Sequence, residues 1–494
     1  MEVRTTSRRT RFSISTSSLF RLLHKNPPPG LRLAVRLLTF PSVSPSMASR
    51  FLLVGSGARE HAIAAALCKR EDVQLFAFMS ARNPGIEAIC KKSGGEAVVG
   101  DIHNPAQVGD WAKAKKIELA FPSPDAVLAA GVCDELAKFH IPLAAPLRAA
   151  ARIEWDKSFL RQIMDKGRVP GCPKNGFFRS TDELNGFIDS LGGQVAVKPV
   201  GLTGGKGVAV VGFQLKDGEA AKAYAREVLT QRIGGDGVVI EEKLIGEEFT
   251  LQAFCDGRKL LPMPAVQDHK RANVGDMGPN TGGMGSYTSE GFLLPFMTQQ
   301  DYDDALNILQ KITRILELES NIRFSGIMYG QFMATAQGVF LIEINARFGD
   351  PESINVLARL KTPLADVFEA IAERRLGKIE LEWENKATVV KYLVPEGYPG
   401  KAVPASKLTI DEKKLKASKA ELFFASVDQR EDGLRTASSR AIASLGTGKT
   451  IEEAEKHAEA GCGAVSGAVW HRPDIGTAAL IGKKVEHMKQ LRKR

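Results

Sequence analysis

Glu343, Asn345, Arg347 and Asp350 stand close together in a stretch that reads VFLIEINARFGDPE over residues 339–352. In an extended strand, side chains alternate between the two faces, so Glu343 and Asn345 share one face while Ile342 and Ile344 point to the core. Upstream, 327–334 is also strand-like, and Ala336, Gln337 and Gly338 form a turn. With that three-residue loop Thr335 pairs with Val339, and Gln331 falls opposite Glu343. Carboxylate and amide oxygens beside phosphate oxygens are the donor set of a hard cation such as Mg²⁺. A solvated strand face is the bland alternative, but Arg347 and Asp350 enlarge the polar cluster and weigh against it.

A second chemical stretch, KPVGLTGGKGV over 198–208, surrounds Lys206 with glycines. Backbone N–H groups in such a loop approach phosphates closely, and the lysine adds a point charge. It is no Walker A loop, because Gly207 stands where Ser or Thr is required. A glycine-rich flap over a triphosphate fits better, with Lys198 on the preceding strand as a second phosphate contact. The run from Gly446 to Thr450 imitates the end of a P-loop but has Ala443 at the first glycine position; Thr450 and Glu453 instead have the spacing of a capping box. Likewise GSGARE over 55–60 puts Glu60 where a dinucleotide fingerprint needs glycine, leaving a turn at a helix N-terminus that suits a phosphate. The pentad QDHKR over 267–271, followed by the glycine-rich 278–285, reads as substrate-facing loops.

These residues need a framework, and the pattern around them is that of an α/β protein. A strand, a glycine turn and a helix over 51–70 open an alternation of short strands and helices to about Ala145, which predicts a small parallel α/β domain over 48–145. A second region over 146–380 contains a flap at about 167–243. A third spans 384–494, with strands near 388–394 and 422–427 and a late helix from Ile451. Lys plus Arg number 67 against 57 Asp plus Glu, a net +10. Residues 1–46 hold eight of the basic residues and a single acid, Glu2, so the rest carries only about +3 and gives no polyanion footprint. That tail has the Arg, Ser and Pro bias of a transit peptide for a plastid or mitochondrion; with Met47 as the start, the cytoplasm is expected instead. No apolar run is long enough to span a bilayer. The six cysteines show no C-x-x-C spacing, so neither a zinc site nor a disulfide framework is indicated.

Taken in order, the marks GSGAREHA (55–62), the Lys206 loop, QDHKR, 278–285 and 345–352 resemble the glycinamide ribonucleotide synthetases, the phosphoribosylamine–glycine ligases of the ATP-grasp superfamily. The likeness runs from Phe51 nearly to the C-terminus. It implies an N-terminal parallel α/β domain, an ATP-grasp core with an inserted flap, and a C-terminal α+β domain. It also implies ATP-dependent joining of glycine to 5-phosphoribosylamine through a glycyl phosphate, with Mg²⁺ or Mn²⁺ as cofactor. Carried over by position, Lys157, Lys198 and Lys206 contact ATP phosphates, Glu241, Glu242 and Leu244 line the adenine hinge, and Glu248 meets the ribose. Gln331, Glu343 and Asn345 match metal positions. Gly55, Gly57, Arg59, Glu60 and His61 match the phosphoribosylamine turn. Asp268, Lys270, Arg271, Asn280, Thr281, Gly283, Arg347, Gly349 and Asp350 match the substrate pocket, with Arg347, Lys206 and Asp350 in catalytic positions. The chain departs from the commoner bacterial pattern at Ala58, at Asp125 and at Thr203 and Gly204. Only small-molecule partners are implied, with no nucleic acid or membrane, in a monomer or small homo-oligomer. Two rival readings are another ATP-grasp carboxylate–amine ligase and an inactive nucleotide-binding regulator. The loops at 268–271 and 278–285 oppose the first; joint retention of Lys198, Lys206, Glu343, Asn345 and Arg347 opposes the second.

Overall fold

The structure, a computed structural model, describes residues 49–203, 207–403 and 405–493. The tail and Lys206 therefore lie outside the described residues. The first sheet is parallel, in the order Ala97–Val99, Val73–Met79, Ser49–Val54, Leu119–Pro122. Its strands are nearly continuous apolar runs, as expected where helices cover both faces. The chain order reverses between Ser49–Val54 and Leu119–Pro122, and the crevice beyond their carboxyl ends is where open α/β sheets bind ligands. The turn at Gly55–Gly57 and the segment at Ser123–Asp125 flank this crevice.

A four-stranded antiparallel sheet forms the next layer: Leu260–Pro262, Gly246–Cys255, Gly326–Thr335 and Gly338–Asn345. The helix Gln299–Ser320 packs on it through Tyr302, Ala305, Ile308, Leu309, Ile312 and Leu316, a stripe at helical spacing. The helix starts at a reciprocal cap between Thr298 and Asp301. A separate antiparallel sheet, Asn175–Phe178, Val238–Glu242, Val195–Pro199 and Ala209–Val210, has its own apolar core, including Val197, Ile240, Ala225 and Val228.

The hairpin that carries Glu343 differs from the expected one in a way that cancels. Thr335 pairs with Gly338, so the turn has two residues, Ala336 and Gln337. That register alone would place Ile342 opposite Gln331. A bulge between Gln331 and Phe332 absorbs one residue, and Gln331 faces Glu343 after all. The QDHKR pentad is also not a loop. Gln267–Asp268 is a strand in a six-stranded sheet with Gly285–Thr288, Ala387–Pro395, Ile442–Gly448, Glu421–Phe424 and, paired to the end of Ala387–Pro395, Val469–Trp470, while Arg271–Asn273 pairs with Met277–Asn280 in a hairpin. The C-terminal sheet thus takes in strands on either side of the glycine-rich loop. The late helix, Ile451–Cys462, starts where expected; Thr450 accepts from Glu453 N, but the Glu453 carboxylate accepts from Lys449 N. No helix among the described residues is long and apolar enough to cross a membrane.

Candidate functional site

Glu343 sits at the centre of the site. Among the described residues its carboxylate has no hydrogen-bond or ion-pair partner, and Lys270, Lys157, Lys198 and Arg347 hold it below the usual carboxylate range against the opposing effect of burial. Asn345, two residues on, is largely buried and accepts from Arg347 Nη2 at 3.0 Å. Gln331 needs correcting as a metal position. It is fully buried, its Nε2 donates to Glu248 at 3.0 Å and towards Asp268 at 3.4 Å, and its Oε1 lies 2.5 Å from the Tyr329 hydroxyl and 3.0 Å from that of Thr250. Both ends of the amide are occupied, so Gln331 stands behind the two groups that remain, Glu343 and Asn345. Among the described residues no three His, Cys, Asp or Glu side chains are arranged to hold a metal by themselves. A hard cation at Glu343 and Asn345 would take its other oxygens from nucleotide phosphates and water, which this donor set fits.

The Tyr329 hydroxyl also lies 2.7 Å from Glu352 Oε1. One hydroxyl proton cannot serve both Gln331 and Glu352. Burial and the nearby Asp268 charge push the Glu352 carboxyl up to about 7.

The lysines converge on the same place from different elements. Lys157 begins the helix Lys157–Lys166, capped by Asp156, and its Nζ donates to Gly201 O at 2.9 Å, after the strand that carries Lys198. Burial lowers its pKa. Lys198, on Val195–Pro199, reaches Ile342 O at 3.0 Å and Glu241 at 2.7 Å. Glu241 is buried and is shared with Arg161 Nε at 2.7 Å. Its side chain is therefore a counter-ion, and Glu242 likewise accepts from Lys174 N at 2.7 Å. The Glu241 carboxylate is fully engaged and that of the half-buried Glu242 has one oxygen taken; beside them this segment can offer a base its backbone and the half-buried Leu244.

Arg347 lies 3.1 Å from the buried Glu154, donates to Phe348 O at 3.1 Å and sits over the Tyr329 ring. Glu154 in turn accepts from Ala346 N at 2.8 Å, and burial pushes its carboxyl up to about 7 despite the neighbouring Arg347. Lys270 stands 3.9 Å from both Glu248 and Asp268, half exposed and free to turn to a ligand. Arg271 donates to Gly278 O, Thr281 Oγ1 donates to Lys270 O and accepts from Gly283 N, and Gly349 N donates to Gln252. Asn280 pairs with Arg271 across the hairpin. Asp350 is engaged from the C-terminal side by Tyr392 and Arg440, so it does not face the pocket as an unoccupied carboxylate.

In the N-terminal crevice Gly55 has φ +130°, and a Cβ there would lie 2.7 Å from Glu60 Cγ. Glu60 is buried; it accepts from Gly57 N, Ser123 Oγ and Arg59 Nε at 2.6–2.7 Å and so shapes the turn from behind. Arg59 also donates to Phe348 O, tying the turn to the Arg347 segment. His61 is not in the crevice. Its ring is buried beside Phe423 and Phe424, Nδ1 accepts from Phe424 N at 2.9 Å, and burial lowers its pKa to about 4, so it is a neutral strut between the first and last sheets.

Glu154, Tyr329, Glu352, Thr250, Tyr392 and Arg440 are the functional neighbours that sequence reasoning missed. Glu154 lies three residues before Lys157 and Glu352 ends the most informative stretch, so proximity to known marks was their only signal.

Profiles of phosphoribosylglycinamide synthetase match three consecutive parts: the N domain at residues 49–154, the ATP-grasp (A) domain at 155–353 and the C domain at 388–478. The phosphoribosylamine–glycine ligase of Methanobrevibacter smithii is 48% identical over 443 residues, covering 90% of this chain and 99% of that protein. That of Methanosarcina barkeri is 47% identical and covers 90% and 100%. Among solved structures, the phosphoribosylamine–glycine ligase of Thermotoga maritima superimposes with a TM-score of 0.72 at 24% identity, covering 86% of this chain and 99% of that one. The biotin carboxylase domain of the Hydrogenobacter thermophilus 2-oxoglutarate carboxylase shares the fold, with a TM-score of 0.65 at 14% identity over 90% and 94%.

Proposed function

The chain belongs to the phosphoribosylglycinamide synthetase family, and from that premise we propose which of its residues carry the reaction. The activity is ATP-dependent ligation of glycine to 5-phosphoribosylamine, forming glycinamide ribonucleotide in purine synthesis. Glycine's carboxylate is a poor electrophile, so phosphoryl transfer from ATP first converts it to glycyl phosphate, releasing ADP. The amine nitrogen then attacks the acyl carbon; the bond to phosphate breaks, the nitrogen loses a proton, and amide and phosphate leave.

Lys157, Lys198 and Lys206 bind the phosphates of ATP. Leu244 and the backbone of Glu241 and Glu242 receive the adenine, and Glu248 meets the ribose. Glu343 and Asn345 hold Mg²⁺ or Mn²⁺, which when bound neutralises phosphate charge. Arg347, held by Glu154, orients the reacting carboxylate. The turn at Gly55 and Gly57, backed by Arg59 and Glu60, binds the phosphate of phosphoribosylamine at a helix N-terminus. Asp268, Lys270, Arg271, Asn280, Thr281, Gly283 and Gly349 line the pocket.

The observation that carries the metal and phosphate roles is the Glu343 carboxylate, without a hydrogen-bond or ion-pair partner among the described residues, in the field of Lys157, Lys198, Lys270 and Arg347. ADP release is to be measured with ATP, Mg²⁺ and freshly made phosphoribosylamine, with and without glycine. Glycine-dependent turnover is expected for the wild type and a loss of about 100-fold or more in Glu343→Ala. Unchanged turnover in the variant would remove Glu343 from the site.

We further propose a division into an N-terminal domain over 48–145, an ATP-grasp domain over 146–380 with its flap, and a C-terminal domain over 384–494, working as a monomer or small homo-oligomer. Residues 1–46 lie ahead of all three profile matches, and their acid-poor composition supports import into a plastid or mitochondrion.

A further inference from the structure

Arg440 precedes the strand Ile442–Gly448 of the C-terminal sheet, far in sequence from every residue assigned above. Its guanidinium donates to Gly282 O at 2.7 Å, to Gly283 O and Asp350 O at 3.1 Å each, and to the Asp350 carboxylate at 2.9 Å. Its guanidinium carbon lies over the Tyr392 ring, 4.3 Å from the centroid, and the Tyr392 hydroxyl donates to the other Asp350 oxygen. One planar cation therefore joins the two segments that bear the pocket residues, the glycine-rich loop and the turn after Arg347. They abut so closely that a Cβ on Gly283, whose φ is +108°, would lie 2.8 Å from Pro351 Cδ. Both partners of the ion pair are largely shielded, with side-chain exposures of 14% and 17%.

We propose that Arg440 is a positioning residue for the glycine and phosphoribosylamine pocket, and that Asp350 serves as its anchor and does not touch the reactants. The proposal rests on the reading that these two segments line the substrate pocket. Through Arg440 the C-terminal domain then shapes the substrate side of the site: among the described residues Arg440 makes its hydrogen bonds and ion pair to Gly282, Gly283 and Asp350, and none to the elements that carry Lys157, Lys198 or Glu248. Lysine cannot replace it: an ammonium has no planar fork with which to reach three carbonyls and a carboxylate together.

The test compares wild type, Arg440→Lys, Arg440→Met, Asp350→Asn and the double variant R440M/D350N as full chains, with melting curves run alongside. R440K should raise KM for glycine or phosphoribosylamine at least about tenfold while KM for ATP stays within about twofold, a split that general unfolding does not produce. D350N should move the same constants in the same direction, and the double variant should be little worse than R440M, since both remove one contact. KM values for ATP and substrates rising together in R440K, or no change in any of them, would overturn the positioning role. A full further loss on adding D350N to R440M would show that Asp350 acts on the reactants itself. Absence of glycine-dependent turnover in the wild type would instead defeat the pocket reading, and the proposal with it.

Discussion

Glu154 is the residue whose ionisation most directly bears on Arg347. It is buried, its carboxyl is pushed up to about 7 by that burial, and the charges around it are Arg347 and Arg59, which favour the ionised form, and Asp125, which opposes it; Ala346 N adds a hydrogen bond. Above about pH 7 the carboxylate balances and orients Arg347; below it the pair loses its charge complement. The rate profile for kcat/KM of glycine should therefore fall on the acid side with a midpoint near 7. Glu154→Gln should lack that limb and run low and flat through the same range. An unaltered limb in the variant would reassign it, with Glu352 the next group to test, since it titrates in the same range. Stability has the opposite sign. A carboxyl raised above its unfolded value makes the folded state bind protons more readily, so its stabilising contribution is fully present below about pH 4.5 and is lost as pH rises through 7.

The bulged hairpin shows how an element turns sequence into a site. Absorbing one residue at the bulge restores the pairing of Gln331 with Glu343, and the carbonyl of Ile342 accepts from both Lys198 and Arg161 Nη2, at 3.0 and 2.9 Å. Glu241, from a different sheet, closes the arrangement by pairing with the same two cations. The buried Glu241 thus fixes the separation between the strand that carries Lys198 and the strand that carries Glu343. Removing it leaves two buried cations without their counter-ion. Glu241→Ala should lower unfolding free energy by about 3–5 kcal/mol and weaken ATP binding, whereas Glu241→Gln should lose less, as an amide oxygen still accepts a hydrogen bond. Denaturant titration checks the first effect and KM for ATP the second; a change under about 1 kcal/mol in Glu241→Ala would mean that water solvates the cations.

Across the whole molecule the site is assembled from all three profile-matched regions. Arg59 from the first reaches Phe348 in the second, Arg440 from the third holds Asp350 in the second, and the His61 ring joins the first to the third. The tail, residues 1–46, precedes the three matched regions in sequence. Its import is checked by fusing residues 1–46 to a fluorescent protein in plant and yeast cells: organelle fluorescence is expected, with a diffuse signal when the Arg and Lys residues of the tail become Ala. Diffuse fluorescence from the unaltered fusion would remove the transit reading, leaving Met47 as the working start.

How much was legible depended on distance along the chain. The strand that bears Glu343 and Asn345 on one face, the parallel first domain and the late helix follow from local pattern, because strand alternation and capping are decided within a few residues. Ligand type at Gln331 was not local: that amide is consumed by Glu248, Thr250 and Asp268, contributed by two further strands, and by Tyr329 on its own strand. His61 matched a substrate motif yet became a strut once Phe424 N, more than three hundred residues away, reached its ring. Even the pairing of Gln331 with Glu343 came from a shorter turn and a bulge that offset one another. The sequence determined which groups exist and which strand or turn bears them. The tertiary structure decided which of those groups are left unpartnered to meet a ligand, because a buried polar atom takes the nearest partner available and that partner comes from elsewhere in the chain.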